Sequence, residues 1–506
     1  MKKLFKAVAI ITVFAGLTRL AGFLFRMYLA RTIGAEMLGV YQIAFSVFLV
    51  LETLIASGLP LVVSRLTSKY QAEGNRPAQA SAVCAALITG LLTAVALVGI
   101  LFAGQQLVGK LFTDARCLNI LLTLLPAIVF SSVYAVLRGY LWGQKKFFLV
   151  SVTEFFEQIV RILGCVLLIA FIYSTFDGAV AASVSLVISC AASAALVIIL
   201  FFKTGGRLKS PKGQTKTVLK SAIPITAVRF ASSLLMPIIA IIMPMKLIQS
   251  GLTQQQALSE YGIALGMTFP LLYLPSTLTG SLAMALIPDI SSDMAAQNYK
   301  SIAKKIESSL KFSIFAAFIV IPLYIGLGEP IGIFLFNNQT AGYYLAYAAW
   351  IMLPISVNNI AASVLNALGL EVKGFINYIL GAILLIICII VLPKYIGILS
   401  LVWGMGLCMT LAAILNVRMI KKRITVKINI IKPIVIMSLI TIPCAFLSSW
   451  TFGALSQVLY APINLAFSGL LSGSMFALLC IVFKMVDVST FKINRNKKTL
   501  ATAKKI

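Results

Sequence analysis

The sequence predicts an all-α integral membrane protein of about fourteen transmembrane helices. Three features lead there: 60% of the 506 residues are hydrophobic and only 11% charged, the mean hydropathy is +1.02, and apolar runs of about twenty residues recur throughout. A soluble fold of this length has too little interior to hide that much apolar surface. Runs of about twenty apolar residues match the thickness of a bilayer core, whereas a transmembrane barrel would show short alternating segments.

Taken in order, the predicted spans are 7–29, 38–63, 80–103, 118–141, 149–172, 178–202, 221–245, 262–287, 310–328, 343–366, 375–393, 397–417, 433–450 and 462–484. The first has a basic start and an apolar run like a signal peptide. No small-x-small cleavage site precedes Arg19, so it reads as an uncleaved first helix. Alternating the connecting loops from an inside N-terminus leaves only five of the 42 basic residues outside: Arg31, Lys110, Arg116, Lys246 and Lys394. The large basic clusters, 201–220, 417–432 and 491–506, all fall inside, which predicts a multi-pass protein of the bacterial cytoplasmic membrane with both termini cytoplasmic. The outer loops are short, and GEPIGIFLFNNQT (328–340) is expected to lie on the outer surface as a short amphipathic piece.

The chain also compares with itself. LPAIVFSSVYAVLRGYLWGQKK (125–146) aligns without a gap to LPISVNNIAASVLNALGLEVKG (353–374), so that Val129 matches Val357, Val136-Leu137 matches Val364-Leu365 and Lys145 matches Lys373. KAVAIIT (6–12) resembles KSAIPIT (220–226), and YQIAF (41–45) resembles YGIAL (261–265). These pairs relate predicted helices 1, 2 and 4 to 7, 8 and 10, a parallel repeat with its axis along the membrane normal. The expected organisation is a six-helix bundle over 1–202, a basic linker at 203–220, a second bundle over 221–420, helices 13–14 over 421–484 and a basic tail at 485–506. Two bundles around a midplane cavity is how alternating-access carriers are built.

Charges inside the spans are the candidate site. Arg19 and Arg26 are seven residues, two turns, apart and share a helix face; each guanidinium costs roughly 2.5–3.5 kcal/mol to insert near a helix centre. They must meet water or an anion, or pair with an acid such as Glu52. Arg31, at the membrane boundary, is explained by snorkelling. Arg229 lies in the repeat counterpart of the first helix, and a cavity bearing these arginines is suited to phosphate or pyrophosphate, which Arg binds in bidentate fashion. Glu154, Glu157 and Arg161 occupy one face of the fifth span, with Glu157 and Arg161 spaced for an i,i+4 salt bridge, structural or functional. Glu52 is a candidate coupling-ion or proton site. Eight prolines, from Pro60 to Pro354, interrupt spans and predict kinks.

Other chemistries are excluded by composition. There is no histidine, and the eight cysteines show no CxxC, so no metal site is predicted. No GxxxxGK[ST] loop is present, so the chain does not itself hydrolyse ATP. The net charge of +28 follows from the inner loops; basic tracts with interleaved aromatics are missing, and nucleic acid is not an expected partner. Asn338-Gln-Thr is a formal glycosylation sequon with an accidental reading.

TRLAGFLFRMYLARTIGAEMLGVYQ, ASGLPLVVSRL, SSVYAVLRGYLWGQ…EFFEQIVRI and YGIALGMTFPLLYLPSTLTGSLAMALIPDIS resemble the stage V sporulation protein B branch of the bacterial polysaccharide-biosynthesis membrane proteins. That branch belongs to the superfamily of multidrug and toxin extrusion antiporters, O-antigen flippases and lipid II flippases. The resemblance covers predicted helices 1–12; helices 13 and 14 match in hydropathy only. It implies a V-shaped, fourteen-helix carrier that flips an undecaprenyl-pyrophosphate-linked saccharide, with lipid II for cortex or cell-wall peptidoglycan the leading candidate. It further implies that Arg19, Arg26 and Arg229 hold the pyrophosphate, with membrane lipids around the carrier and cell-wall synthases as candidate partners. The expected protein is a transporter, not an enzyme, without a cofactor, driven by a coupling cation or the membrane potential. Lipid II flippases of the family carry a functional arginine in helix 8, where GMTFPLLYLP offers no cation; Arg229 is the candidate substitute. The competing reading on this fold is a cation-coupled multidrug antiporter, which would call for more acids than this chain has. A membrane glycosyltransferase or polymerase would need acid/base groups and larger outer loops.

Overall fold

In the computed structural model the described residues are 2–171, 175–211, 213–424, 431–483 and 485; they are overwhelmingly helical, with no strand among them. The expected basic tail 486–506 and residues 425–430 of the 417–432 cluster lie outside the described residues. Among the described residues, eleven helices are long and apolar enough to cross a membrane, twelve if the bent pair Gln254–Tyr273 and Ser276–Met294 is one span. The longest of these, running through Val13–Ala72, contains a break at Gly34, whose φ of 76° is accessible to glycine without a Cβ penalty. Phe147–Ala170, 24 residues long, stands outside the eleven and carries Glu154, Glu157 and Arg161.

Two compact units divide the chain: one comprises residues 1–267 and 389–398, the other 268–388 and 399–506. The first unit contains α1 (Lys2–Ala56), α2 (Leu59–Ala72), α3 (Arg76–Ala103), α4 (Ala115–Gly143), α5 (Phe147–Ala170), α6 (Thr175–Lys203), α7 (Thr215–Ser233), α8 (Leu235–Gln249) and α9 (Gln254–Gly262). Helices on both sides of the 203–220 segment therefore belong to one unit. Its buried core joins α2, α3, α4, α6 and α7 through Val62, Leu66, Val83, Tyr140, Phe201 and Val218.

Why α9 stays with this unit is visible at two glycines. A Cβ on Gly39 of α1 would overlap the carbonyl oxygen of Leu258, and one on Gly262 of α9 would overlap that of Ala35. The two backbones touch, an approach that dispersion rewards and that a larger residue forbids. At the start of α4, Asp114 caps the helix by accepting from the Arg116 N–H at 2.7 Å. Its carboxylate also accepts from the Arg116 guanidinium and from Gln254 at 2.7 Å, while Arg116 reaches Glu36. Burial disfavours the Asp114 charge, but these hydrogen bonds outweigh it and hold the carboxyl below the usual carboxylate range.

The second unit contains α10 (Phe269–Tyr273), α11 (Ser276–Ala295), α12 (Tyr299–Phe318), α13 (Ile321–Phe336), α14 (Gln339–Ala348), α15 (Met352–Ala367), α16 (Glu371–Val391, all but its last turn), α17 (Leu399–Ile424), α18 (Ile431–Leu455) and α19 (Ala461–Val482). α15 packs on α11, α12 and α17, and α18 packs on α13 and α19. A line of asparagines is hydrogen-bonded inside it: Asn377 donates to Asn416 at 2.8 Å, and Asn416 to Asn358 at 2.9 Å. Such side-chain amides satisfy one another where lipid offers no partner.

Two sequence expectations are redrawn here. Residues 328–336 are not a separate surface piece but the last turns of α13, which ends where Asn337 turns left-handed (φ 52°). Asn338 then caps α14 by accepting from the Ala341 N–H at 2.9 Å, so the sequon asparagine is a helix cap. One of the expected kinks is present, a 53° bend between Tyr273 and Ser276, around Pro275, while Pro126, Pro224 and Pro244 lie within α4, α7 and α8.

Candidate functional site

All the intramembrane charges singled out in the sequence belong to the first unit. α1 breaks at Ser57 and Gly58 before α2 begins, and beside that break α1, α4, α7 and α8 enclose a cavity of about 680 Å³. Its polar lining is Ser46, Glu52, Thr53, Ser57, Arg138, Arg229, Ser232 and Ser233. Glu52 and Arg229 are thus brought together. Arg229 is exposed to this space and makes no ion pair among the described residues.

Arg138 is the residue that sequence reasoning passed over. It pairs with Glu154 of α5 at 3.2 Å, and its guanidinium lies 5.4 Å from the Tyr134 ring and 4.8 Å from the Trp142 ring. The signal was present: an arginine flanked at i−4 and i+4 by aromatics presents both rings on its own helix face. Its Nε–H is buried without a hydrogen-bond partner, as is the Ser57 hydroxyl in the same wall. Orphans of this kind cost roughly 1–3 kcal/mol each, and a bound acceptor would relieve them.

Glu157 and Arg161 form the expected i,i+4 pair, at 2.5 Å, and Arg161 also donates to Ser189 at 3.4 Å. Glu154 does not join that pair, because Arg138 on α4 takes it. Arg161 is in electrostatic range of Glu52, and Glu52 is within hydrogen-bonding reach of Ser131. Tyr41, buried, stands in the fields of both Arg161 and Arg26. The guanidinium of Arg26 is therefore connected to the charges of α5 and not isolated.

Arg19 and Arg26 line no part of this cavity. Both are exposed, and neither forms a salt bridge among the described residues; in particular Arg19 does not pair with Glu52. Gly22, three residues from Arg19 and four from Arg26, packs against the Gln158 side chain, so the shared face of the two arginines looks toward α5. The result is one set of arginines on the α1–α5 side and a second around the cavity. No cluster of three or more metal-ligating side chains occurs among the described residues.

The chain is a helical, multi-pass membrane protein with a charged cavity in its first unit, and the solved structures agree on the fold. The chain superposes on a structure described as lipid II flippase MurJ, inward closed conformation, with a TM-score of 0.72 at 16% identity, covering 94% of this chain and 99% of that one. An inward-facing multidrug resistance MATE family transporter of the MOP superfamily gives 0.64 at 15% identity, over 83% of this chain and 98% of that one. Residues 4–295 match the family described as Polysaccharide biosynthesis protein, and the chain belongs to that family. Among curated proteins, Stage V sporulation protein B of Bacillus subtilis (strain 168) is similar at 26% identity over 501 residues, covering 96% of each chain.

Proposed function

We propose that this protein is a flippase that moves an undecaprenyl-pyrophosphate-linked saccharide across the bacterial cytoplasmic membrane by alternating access, with lipid II as the leading cargo. The observation that carries the reading is the set of guanidiniums in the first unit, Arg19 and Arg26 on one face of α1 and Arg229 in the cavity wall. Arginine offers paired N–H donors to a diphosphate and keeps its charge at any physiological pH. Similarity to a sporulation protein along nearly the whole chain supports a role in cortex or cell-wall peptidoglycan, and the fold shared with a lipid II flippase supports a lipid-linked cargo.

In this reading the diphosphate and sugars pass through the charged interior while the prenyl chain stays among the membrane lipids. Fourteen spans are kept: the twelve apolar ones, one more from the Gly34 break in the longest, and Phe147–Ala170, whose three charges face protein partners. Both termini are cytoplasmic, and the parallel repeat relates a bundle over 1–202 to one over 221–420. No cofactor is required; a cation gradient or the membrane potential drives the cycle. Cell-wall synthases are candidate partners.

A cation-coupled multidrug antiporter is the second reading, favoured by Glu52 in the cavity and by the fold shared with a MATE transporter. The deciding measurement is the appearance of lipid II on the outer face in depleted cells or proteoliposomes. Wild type should restore it, and Arg19→Ala with Arg26→Ala should abolish it. If lipid II appears outside at the normal rate without the protein, the flippase reading fails. Full activity of Arg19→Lys and Arg26→Lys would reject bidentate recognition and leave only a positive field.

A further inference from the structure

Around the cavity of the first unit the charges nearly cancel, and the way they cancel is uneven. Glu154 is held by Arg138, and Glu157 by Arg161. Glu52 is left with no salt bridge among the described residues, and Arg229 likewise. The groups facing Glu52 are Ser131 and Arg138 from α4, Glu157 and Arg161 from α5, Cys190 from α6 and, across the cavity, Arg229 from α7. Glu52 thus stands in the wall of a space otherwise rich in donors. Those donors are Arg138, whose Nε–H is unpartnered, Arg229 and the unpartnered Ser57 hydroxyl. Unpartnered N–H and O–H donors beside a second guanidinium favour an anion.

We propose that Arg138, Arg229 and Ser57 form a binding subsite for a diphosphate diester, and that Glu52 takes up one proton when the diester binds. The inference rests on the lipid-linked diphosphate reading above and adds to it both a subsite separate from Arg19 and Arg26 and the identity of a co-bound ion. Its physical basis is charge balance within the cavity. A diphosphate diester carries two negative charges, and placing them beside an ionised Glu52 sets like charges together in one cavity wall. Protonating Glu52 removes that repulsion and leaves Arg229 and the unpartnered Nε–H of Arg138 to serve the cargo. The proton comes from solvent on binding and returns to it when the diester departs, so one proton moves with each anion. Glu154 is not the proton site because Arg138 holds it, nor is Glu157, which Arg161 holds.

The test uses the purified full-length protein in nanodiscs and P1,P2-dimethyl diphosphate, a water-soluble diester whose two charges do not titrate near neutral pH. Calorimetric titration from pH 8 to pH 6 should show the apparent affinity of wild type rising toward tenfold per unit as pH falls, the slope of one bound proton. Glu52→Gln should bind more tightly than wild type at pH 8 and lose the pH dependence. Arg138→Lys and Arg229→Gln should each weaken binding at least tenfold with unchanged thermal melting, and Ser57→Ala severalfold. Failure of wild type to bind the diester, or wild-type affinity in both arginine variants, overturns the subsite. A pH slope that survives in Glu52→Gln overturns the coupling. Lipid II flipping is measured separately, so either failure here leaves the flippase reading to its own test.

Discussion

The two units each contain a cavity of similar size with opposite chemistry. The one in the first unit, about 680 Å³, is lined by Glu52, Arg138, Arg229 and serines. The one in the second, about 640 Å³, is lined by Phe318, Trp350, Leu353, Val357 and Ile414, with cations only at Arg418 and Lys421. Volume alone therefore says nothing about cargo. A phosphate group must exchange its water for donors of equal strength; in the first cavity serines stand beside the arginines, whereas in the second the two cations adjoin a mostly apolar wall. The second suits hydrocarbon, whose transfer asks only for apolar contact. The contrast arises from neighbouring side chains and not from helix packing, since both cavities form where packed helices leave space.

The largest effect expected from breaking this contrast is on the first cavity. Arg138→Ala with Arg229→Ala should lower lipid II flipping about 100-fold or more, since each charge-assisted hydrogen bond contributes roughly 1.5–3 kcal/mol and 1.4 kcal/mol is tenfold. Flipping assays in proteoliposomes check it; a loss below threefold would mean the cavity is not on the cargo route. Trp350→Ala, in the second cavity, should cost about 3 kcal/mol of stability by leaving a void, seen as a lower melting temperature. Diester affinity should be unchanged; if it falls with stability intact, the second cavity is not merely apolar packing.

Gly262→Ala comes next, with a loss of roughly 1–3 kcal/mol, because the new Cβ must push α9 off the Ala35 carbonyl of α1. Wild-type melting would show that the backbone contact is slack and that α9 is not fixed to the first unit. The smallest effect is at Asp114. Asp114→Asn keeps a capping oxygen but loses the ion pair with Arg116, worth about 1 kcal/mol at a partly solvated site. The folded-state carboxyl titrates below its unfolded value near 3.9, so the wild-type advantage should be complete above about pH 4. It should fade as pH falls through the lower folded value. Melting temperatures of the two proteins between pH 7 and pH 3 test this, and a gap that stays constant would exclude the ion pair as its source.

How much of the site was legible depends on whether partners are near in sequence. The Glu157–Arg161 pair could be read directly, because an i,i+4 spacing guarantees adjacency on a helix. The Arg138–Glu154 pair could not: its members lie on two helices, and nothing in SSVYAVLRGYLWGQ specifies that α5 will bring a carboxylate beside it. Arg138 also hid near the edge of its predicted span, where a cation is commonplace. Glu52 looked like a partner for Arg19 because both lie in early spans, yet the fold turns it toward Ser131 and Arg138.

Hydropathy and helical periodicity by themselves determined that the chain is helical and crosses the membrane many times. Solvent is the reason: a bilayer forces backbone hydrogen bonds to close within each segment, so apolar length translates directly into helix. They also determined that arginines stand where lipid would penalise them. Only the tertiary structure decided which charges meet, that 328–336 finishes α13, that Asn338 is a cap, and that Arg138 and Ser57 share a wall with Arg229. Those outcomes depend on contacts between residues far apart in the chain, whose partners are selected by packing geometry and not by any local spacing.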